Sequence, residues 1–296
     1  MKKILCVLMS CLLFVMAGCS GHSKNLKFGA ADIGGVYYSF ASTFTQLADK
    51  EIDGYTFETK TTAGSVANLR LISDGYIDLA IVQADLLSDA YNATGTFADK
   101  KYQKGYKAVA SLYTECCQIV VRKDSGITGI DDLINKTVSV GASESGSEKN
   151  AEQILKMSGI TDELINKVNM DYTEDAEKLK AGEIDAFFCT AGTRTEVIGQ
   201  LSKECDICLI SLDDKCIDKM LSAYSLCEKY TIPAGTYNGQ DSDVTTIGVK
   251  AVLIAKQSLS DDVIKNVTKT IYEHADDFKY ATSLDISFDI NTAADG

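Results

Sequence analysis

The most regular pattern of apolar and polar positions lies between residues 59 and 85. It predicts a strand, a tight turn, a helix with Ser65 as its N-cap, and then a buried strand over residues 77–82. In open α/β sheets, the carboxyl ends of strands and the first turns of the following helices face one crevice. A shared rim is therefore predicted, formed by Thr61, Thr62, Gly64, Ser65 and Gln83.

The same local unit recurs along the chain. Residues 141–148 form a hydroxyl-rich turn before a helix, and residues 180–189 repeat the order of helix, stop and buried strand. Such turns offer amides and hydroxyls to a carboxylate. Simple capping of the helix is the alternative for any one turn, but two such turns on opposing lobes favour a ligand site. The residues predicted here are Ser145, Gly146, Ser147, Thr190, Gly192 and Thr193.

Two further segments complete the predicted ligand-binding set. Gly34 and Gly35 open a helix with Tyr37 in its first turn, and Tyr237 lies in a loop over residues 231–240. The tyrosines are predicted to wall a ligand, and the glycines to present backbone amides. Ordinary packing at the start of the helix is an equally good interpretation of Tyr37.

The N-terminus predicts export from the cytoplasm. Residues 1–18 combine a basic start, an apolar stretch and a small-residue cleavage site, as in a signal peptide. Cys19 follows in a lipobox-like context, so a lipid anchor and a tether over residues 19–25 are predicted, with ordinary secretion as the alternative. Mass spectrometry of Cys19 would separate the two. The predicted location is extracytoplasmic and membrane-anchored.

Composition and charge narrow the classes of function. The 296 residues are 45% hydrophobic and 24% charged, which suits two folded domains, and the formal net charge is −13. Nucleic-acid binding is not expected, because phosphates need a basic surface.

Catalytic and metal chemistry have little support in the sequence. The histidines are His22, in the tether, and His274, in a late helix, so neither a catalytic triad nor a histidine metal site is expected. No cofactor is predicted, and the protein is predicted not to be an enzyme, although catalysis by carboxylates alone stays open. Seven cysteines remain after the leader and Cys19, and free thiols are favoured over a bridge among Cys205, Cys208, Cys216 and Cys227.

The alternation of strands and helices, with the same local unit in each half, predicts an α/β fold of two lobes with a ligand cleft between them. The first lobe is predicted to comprise residues 25–115 and 250–296, and the second residues 116–249. Residues 107–113 and 118–122 are predicted as separate strands, with the interdomain crossing between them. Residues 90–97 are predicted as a loop, and 261–278 as one helix.

Several short motifs resemble the TAXI family of TRAP-transporter solute receptors. They include residues 34–38, 64–70, 82–85, 120–127, 139–148, 190–193 and 232–240 in the family's order. The resemblance implies a two-lobed periplasmic-binding-protein-like fold of type II. It also implies a receptor that closes on a small carboxylate, such as glutamate or a related dicarboxylate, and hands it to the permease subunits of a TRAP transporter. A receptor for another importer class or for a signalling partner is the alternative.

Two departures from the family pattern are visible. Arg194 and Asn238 stand where the family often has proline, and the chain ends before the family's usual C-terminal segment. A truncated C-terminus is therefore expected.

Overall fold

The computed structural model describes residues 23–98 and 104–284. Within these residues, the strands are β1 (Lys24–Gly29), β2 (Tyr55–Lys60), β3 (Leu79–Gln83), β4 (Tyr106–Arg122), β5 (Thr137–Ser139), β6 (Asn166–Val168), β7 (Ala186–Ala191), β8 (Ile207–Leu209), β9 (Cys227–Ile232) and β10 (Val244–Lys256). The α-helices are α1 (Val36–Glu51), α2 (Ser65–Ser73), α3 (Ala84–Asn92), α4 (Gly146–Ser158), α5 (Tyr172–Ala181), α6 (Glu196–Glu204), α7 (Asp214–Ala223), α8 (Asp261–Glu273) and α9 (Ala275–Thr282).

The strands join in one mixed sheet in the order β2-β1-β3-β10-β4-β7-β5-β6, with β8 on β4 and β9 on β10. The pairs of β1 with β2 and β3, and of β5 with β6 and β7, are parallel. The two long strands β4 and β10 are antiparallel to each other and to their other neighbours. The fold is therefore α/β and two-lobed, as predicted, with β4 and β10 passing between the lobes.

The position where each long strand changes neighbours locates this passage. β10 pairs with β9 through Val249 and with β3 from Ala251 onward. β4 pairs with β7 from Cys116 onward. We call the part around β1–β3 the first lobe and the part around β5–β9 the second lobe. These changes of strand partner fall beside the predicted domain boundaries at 115/116 and 249/250. The boundaries themselves remain a proposal.

Each lobe has its own buried apolar side chains. In the first lobe, Phe40 of α1 stacks on Phe278 of α9 with ring centroids 4.4 Å apart, and Phe44 meets Phe28 and Phe57 edge to face. In the second lobe, Val138, Ile154, Phe188 and Ile217 belong to one buried cluster. Burial of this kind is the main favourable contribution to folding, so each half of the cleft stands on packed apolar side chains.

Several predictions of local structure are wrong. Residues 107–122 form the single strand β4, because residues 114–116 of the predicted crossing pair with β10 and Cys117 pairs with Thr190 of β7. The predicted loop over 90–97 contains the end of α3 and a 3₁₀ turn, since Leu86 and Ala90 have helical spacing and are buried. The predicted helix over 261–278 is two helices, because the backbone leaves the helical region at His274.

The prediction of Ser65 as an N-cap is also wrong. Gly64 is the N-cap of α2, with φ 124° and ψ −150°, a conformation that glycine adopts without strain. Ser65 is the first helical residue, and its Oγ accepts a hydrogen bond from the Gln83 amide at 3.1 Å. The serine therefore ties the start of α2 to the end of β3.

Some predictions fall outside the described residues. The signal peptide, most of the tether, the lipid site at Cys19 and the end of the chain are among them, and they stay predictions. Within the residues that the structure describes, no helix is both long and apolar enough to cross a membrane.

Candidate ligand-binding site

A small cavity lies between the N-terminal ends of α2 and α4, where the two lobes meet. The cavity has a volume of about 40 Å³, which corresponds to a few water molecules. The structure is therefore a closed form. The polar side chains that line the cavity are Asp32, Tyr37, Ser65, Gln83, Glu115, Ser145, Ser147, Asp171, Tyr172 and Thr190.

The first-lobe side of the cavity is fixed by a network around Asn68 of α2. The Asn68 amide donates to the carbonyl oxygens of Ala30 at 2.6 Å and Ile81 at 2.9 Å, and so joins the ends of β1 and β3. The Thr62 hydroxyl donates to Asn68 Oδ1 at 2.8 Å. This buried network holds the turn at Gly64 against the ends of the strands.

The second-lobe side is the N-terminus of α4. Ser145 is a true N-cap, and its hydroxyl accepts from the Glu148 amide at 2.9 Å. Ser147 Oγ lies 2.6 Å from the Tyr172 hydroxyl and accepts from the Thr190 amide at 2.8 Å. The helix start, α5 and the end of β7 are thus held together around the cavity.

A buried carboxyl group contributes to the cavity from β4. Glu115 is 2% exposed, and the Tyr37 hydroxyl donates to its Oε2 at 2.7 Å. Burial raises the pKa of Glu115 to about 8, and the hydrogen bonds from Tyr37 and Gln83 offset only part of this effect. At neutral pH, the closed, empty cavity therefore favours the protonated carboxyl group.

Two further acidic residues stand at the side of the cavity. Burial, and then the nearby charge of Asp171, raise the pKa of Asp32. The Tyr172 amide donates to Asp32 Oδ2 at 3.1 Å, a hydrogen bond from the second lobe to the first. Among the described residues that line the cavity, there is no lysine, arginine or histidine.

Direct bonds between the lobes hold the closed form. The side-chain Nε2 of Gln83 donates to Asn150 Oδ1 of α4 at 3.0 Å. Arg70 of α2 forms an ion pair with Glu144 at 2.7 Å, and the Ala67 amide donates to the Glu144 carbonyl at 3.1 Å. The sequence left open whether Arg70 makes an ion pair or meets a ligand, and in this form it makes an ion pair.

The structure brings together nine of the predicted ligand-binding residues. The residues that line the cavity are Gly35, Tyr37, Gly64, Ser65, Gln83, Ser145, Gly146, Ser147 and Thr190. These come from both lobes, as the repeated strand, turn and helix pattern predicted. Their role in holding a ligand stays a prediction.

The other five predicted residues do not line the cavity. The Tyr237 hydroxyl donates to Gln118 Oε1 at 2.6 Å and accepts from the Thr195 amide, so it is a buried structural group. Thr62 bonds within the first lobe. The spacing of strands, turns and helices in the sequence does not determine in which direction the side chains of Tyr237 and Thr62 point. The residues outside the cavity are Gly34, Thr62, Gly192, Thr193 and Tyr237.

Glu115, Asp32, Asp171 and Tyr172 were not predicted. Glu115 is the single acidic residue of β4, and this was the available signal for it. Asp171 caps α5 through a hydrogen bond from the Glu174 amide at 2.8 Å. Because capping alone accounts for an aspartate at this position, the sequence did not indicate that it lies beside the cavity. Tyr172 carried no signal, because its position depends on how the lobes close.

The seven cysteines in the described residues are unpaired, and five of them are buried. The preference for free thiols is therefore confirmed for Cys116, Cys117, Cys189, Cys216 and Cys227, and Cys205 and Cys208 are partly exposed. Within the described residues, no group of three histidine, cysteine or acidic side chains is placed to hold a metal ion.

The continuous sheet, the two crossing strands and the cavity between the lobes define a periplasmic-binding-protein fold. Similar solved structures include PhnD1 from Prochlorococcus marinus in complex with methylphosphonate, at 13% identity over 84% of each chain and a TM-score of 0.58. A putative L-cystine ABC transporter protein from Listeria monocytogenes is 14% identical, over 88% of this chain and 94% of that one, with a TM-score of 0.55. The substrate-binding protein of an amino acid ABC transporter is 13% identical, over 88% and 97%, with a TM-score of 0.54. At these identities, the likeness establishes the shared fold.

A model of the NMT1-like family matches residues 28–296, so the chain belongs to the NMT1-like family. The prediction of a TAXI receptor for a TRAP transporter is wrong, because the match is to this family and the similar structures belong to ABC-type systems. The motifs behind that resemblance are short turns and buried strands. The fold itself requires such segments, so they discriminate poorly between families that share it.

Proposed function

We propose that this protein is an extracytoplasmic solute-binding receptor that captures a small carboxylate-bearing solute and delivers it to the permease of an ABC-type importer. The observation that supports this proposal is the cavity between the lobes, lined by the N-termini of α2 and α4. The similar binding proteins of ABC systems support the importer class. This is the alternative that the sequence left open, a receptor for another importer class.

The chemistry of the two helix starts suits an anionic group. The first amides of an α-helix have no partner within the helix, and the helix dipole places partial positive charge there. α2 offers the amides at Ser65 and Val66, and α4 offers those at Gly146 and Ser147. A carboxylate that leaves water needs hydrogen-bond donors of this kind, because a desolvated charge without them is unstable.

The division of these donors between the lobes couples binding to closure. A solute that bonds to α2 alone keeps part of its charge unsatisfied, and it gains the donors of α4 only when the lobes approach. The solute therefore binds the closed form more tightly than the open form and shifts the population toward it. The Gln83–Asn150 bond and the Arg70–Glu144 ion pair act in the same direction.

The test is calorimetric titration of the purified protein with a panel of small carboxylates and amino acids, together with thermal melting and small-angle scattering. A binding solute is expected to raise the melting temperature and to shrink the scattering radius. Gln83→Ala and Ser145→Ala are each expected to weaken binding by about 1 to 3 kcal/mol, the usual result of removing one partner of a buried polar contact.

Matched controls exist on the outer surface. Gln200 and Ser222 are exposed, bond only within their own helices, and do not line the cavity. Gln200→Ala and Ser222→Ala are expected to leave affinity unchanged. Equal losses in the control and cavity variants, or no binding by any member of the panel, would contradict the proposed function.

A further inference from the structure

The cavity contains acidic groups that a purely anionic solute does not satisfy. Asp32, Glu115 and Asp171 line it, and none of its described lining residues carries a basic side chain. A dicarboxylate could use the helix N-termini for one end, but its other end would meet carboxyl groups. Any of these groups that is ionised repels a second carboxylate strongly at short range in a dry cavity. The composition of the lining therefore favours a solute that also carries positive charge.

Glu115 is the most buried of the three acidic residues. Its side chain bonds to Tyr37 and lies against Gln83, both of them neutral, and within the described residues it belongs to no ion pair. A buried carboxylate is normally paired, and without a cation it takes up a proton instead. A cationic group of the solute would supply the missing partner.

Gln83 gives a second, independent indication. The residue is 1% exposed and lines the cavity, and its Nε2 already donates to Asn150. Its Oε1 is buried and has no hydrogen-bond partner among the residues that the structure describes. Buried amide oxygens are rarely left unpaired, so this atom requires a donor. Glu115 and Gln83 thus offer acceptors in a cavity whose own side chains supply no cation.

We propose that the solute carries a protonated amine, which donates hydrogen bonds to Glu115 and to Gln83 Oε1. An ammonium group has three donors and no acceptor, so it can donate both to the Glu115 carboxylate, whose partners Tyr37 and Gln83 are neutral, and to Gln83 Oε1. This inference rests on the proposed function, because the carboxylate remains at the N-termini of α2 and α4. The solute class is then a small zwitterion, such as an amino acid, rather than a dicarboxylate without an amine.

The inference has a consequence for protons. With a pKa of about 8, Glu115 holds a proton in most ligand-free molecules at pH 7. An arriving ammonium group keeps its own proton, so the O–H bond of Glu115 breaks and that proton passes to the buffer. The carboxylate that remains pairs with the ammonium group. Binding is therefore expected to release about one proton at pH 7 and less as the pH approaches 8.5.

Other titratable groups face Glu115 and have to be separated from it. Tyr37 of α1, Asp85 of α3, Tyr113 and Cys116 of β4 and Tyr172 of α5 interact with its charge. Burial raises the pKa of the tyrosines and of the thiol, so they stay protonated at pH 7. The pKa of Asp85 is raised to about 6, so Asp85→Asn serves to exclude this group.

The experiment compares solutes that differ only in the amine. Calorimetry at pH 7 uses L-alanine and L-lactate, L-glutamate and L-2-hydroxyglutarate, and L-phenylalanine and L-phenyllactate, each in phosphate and in Tris buffer. In any pair that binds, the amino member is expected to bind at least about tenfold more tightly. The binding enthalpy measured for the amino member is expected to differ between the two buffers. The expected difference is the difference between the ionisation enthalpies of phosphate and Tris, for about one proton released.

Glu115→Gln removes the charge but keeps a group that accepts from Tyr37. The variant is expected to bind the amino acid of each pair about 10- to 100-fold more weakly than the wild-type protein does. It is also expected to lose the preference for the amino acid over the hydroxy acid, and to release no proton on binding. Glu228→Gln, on strand β9, which pairs with β10, is the control; Glu228 accepts a hydrogen bond from Thr114, and the change is expected to alter none of these values. The preference of the wild-type protein needs no variant, so it tests the inference even if Glu115→Gln folds poorly.

The outcomes separate the two proposals. Equal binding of amino and hydroxy members, or proton release that persists in Glu115→Gln, would overturn the amine site and leave the carboxylate receptor standing. Binding of ethanolamine as tight as that of any amino acid would keep the amine site and remove the carboxylate from the proposed function. No binding by any of these solutes would contradict both.

Discussion

The two helix starts that face each other across the cavity are built differently. α2 begins at Gly64, whose backbone has φ 124° and ψ −150°, and no side chain caps it. α4 begins at Ser145, an ordinary N-cap with extended backbone and a hydrogen bond to the Glu148 amide. One start relies on a conformation that only glycine adopts easily, and the other on a serine hydroxyl.

The difference separates a role in folding from a role in closure. Gly64 sits in the network that joins the ends of β1 and β3, so its conformation belongs to the folded first lobe. Gly146, beside the serine cap, has no positive φ, but an added Cβ there would lie 2.5 Å from the Gln83 side chain of the other lobe. Gly64 is needed for its backbone conformation, whereas Gly146 leaves space for the Gln83 side chain of the opposite lobe.

Gly64→Ala is expected to have the largest effect on stability. Alanine in this region of backbone space costs about 1 to 3 kcal/mol, so the free energy of unfolding is expected to fall by about 2 kcal/mol. The new Cβ would also lie 3.3 Å from Ser145 Cα in the closed form. Urea unfolding of the ligand-free protein measures the loss.

The control for this change is Gly199→Ala. Gly199 lies within α6, and a Cβ there meets nothing within 4 Å. Because alanine is the better helix former, a gain of about 0.5 to 1 kcal/mol is expected. If Gly64→Ala lost less than about 0.5 kcal/mol, the special backbone of the first helix start would have no energetic importance.

Gly146→Ala is expected to act on binding rather than on folding. In the closed form, its Cβ would overlap the Gln83 side chain, which would have to give up its bond to Asn150. Alanine suits the first turn of a helix, so the ligand-free protein is expected to keep its stability. Affinity is expected to fall about tenfold, as for one lost buried hydrogen bond, with a larger scattering radius at equal ligand concentration.

A double-mutant cycle isolates this contact. In the Gln83→Ala protein, the obstructing side chain is gone, so Gly146→Ala is expected to cost little further affinity. Equal losses in both backgrounds would mean that Gly146 acts through something other than Gln83.

Short sequence patterns predicted the turns that border the cleft better than they predicted the side chains that line it. Glycine and serine before a helix and after a buried strand marked the turns at Gly64 and Ser145, because those residue types are favoured by the turn itself. Glu115 is different, since its burial depends on β4 crossing beside β10, a contact between segments more than 100 residues apart. Tyr237 was placed in the cavity for its residue type, yet its hydroxyl bonds to Gln118.

The helix boundaries show the same limit. The apolar spacing of Leu86 and Ala90 was present in the sequence, but it covers a single helical turn, which is too short to indicate a helix by periodicity. The break at His274 could not be predicted from periodicity, because α8 and α9 each continue the amphipathic pattern. The His274 side chain contacts Glu51 of α1, so tertiary contact accompanies the bend.

The smallest expected effect belongs to the ion pair between α2 and the turn before α4. Arg70 and Glu144 are 2.7 Å apart, with side chains 44% and 39% exposed, so solvent screens much of their attraction. Arg70→Gln is expected to weaken binding by about 0.2 to 1 kcal/mol, because only the closed form contains the pair. The loss is expected to disappear in 1 M NaCl. Arg122→Gln, which removes a pair with Asp124 inside the second lobe, is expected to leave affinity unchanged. A loss above tenfold that survives high salt would instead place Arg70 in contact with the solute.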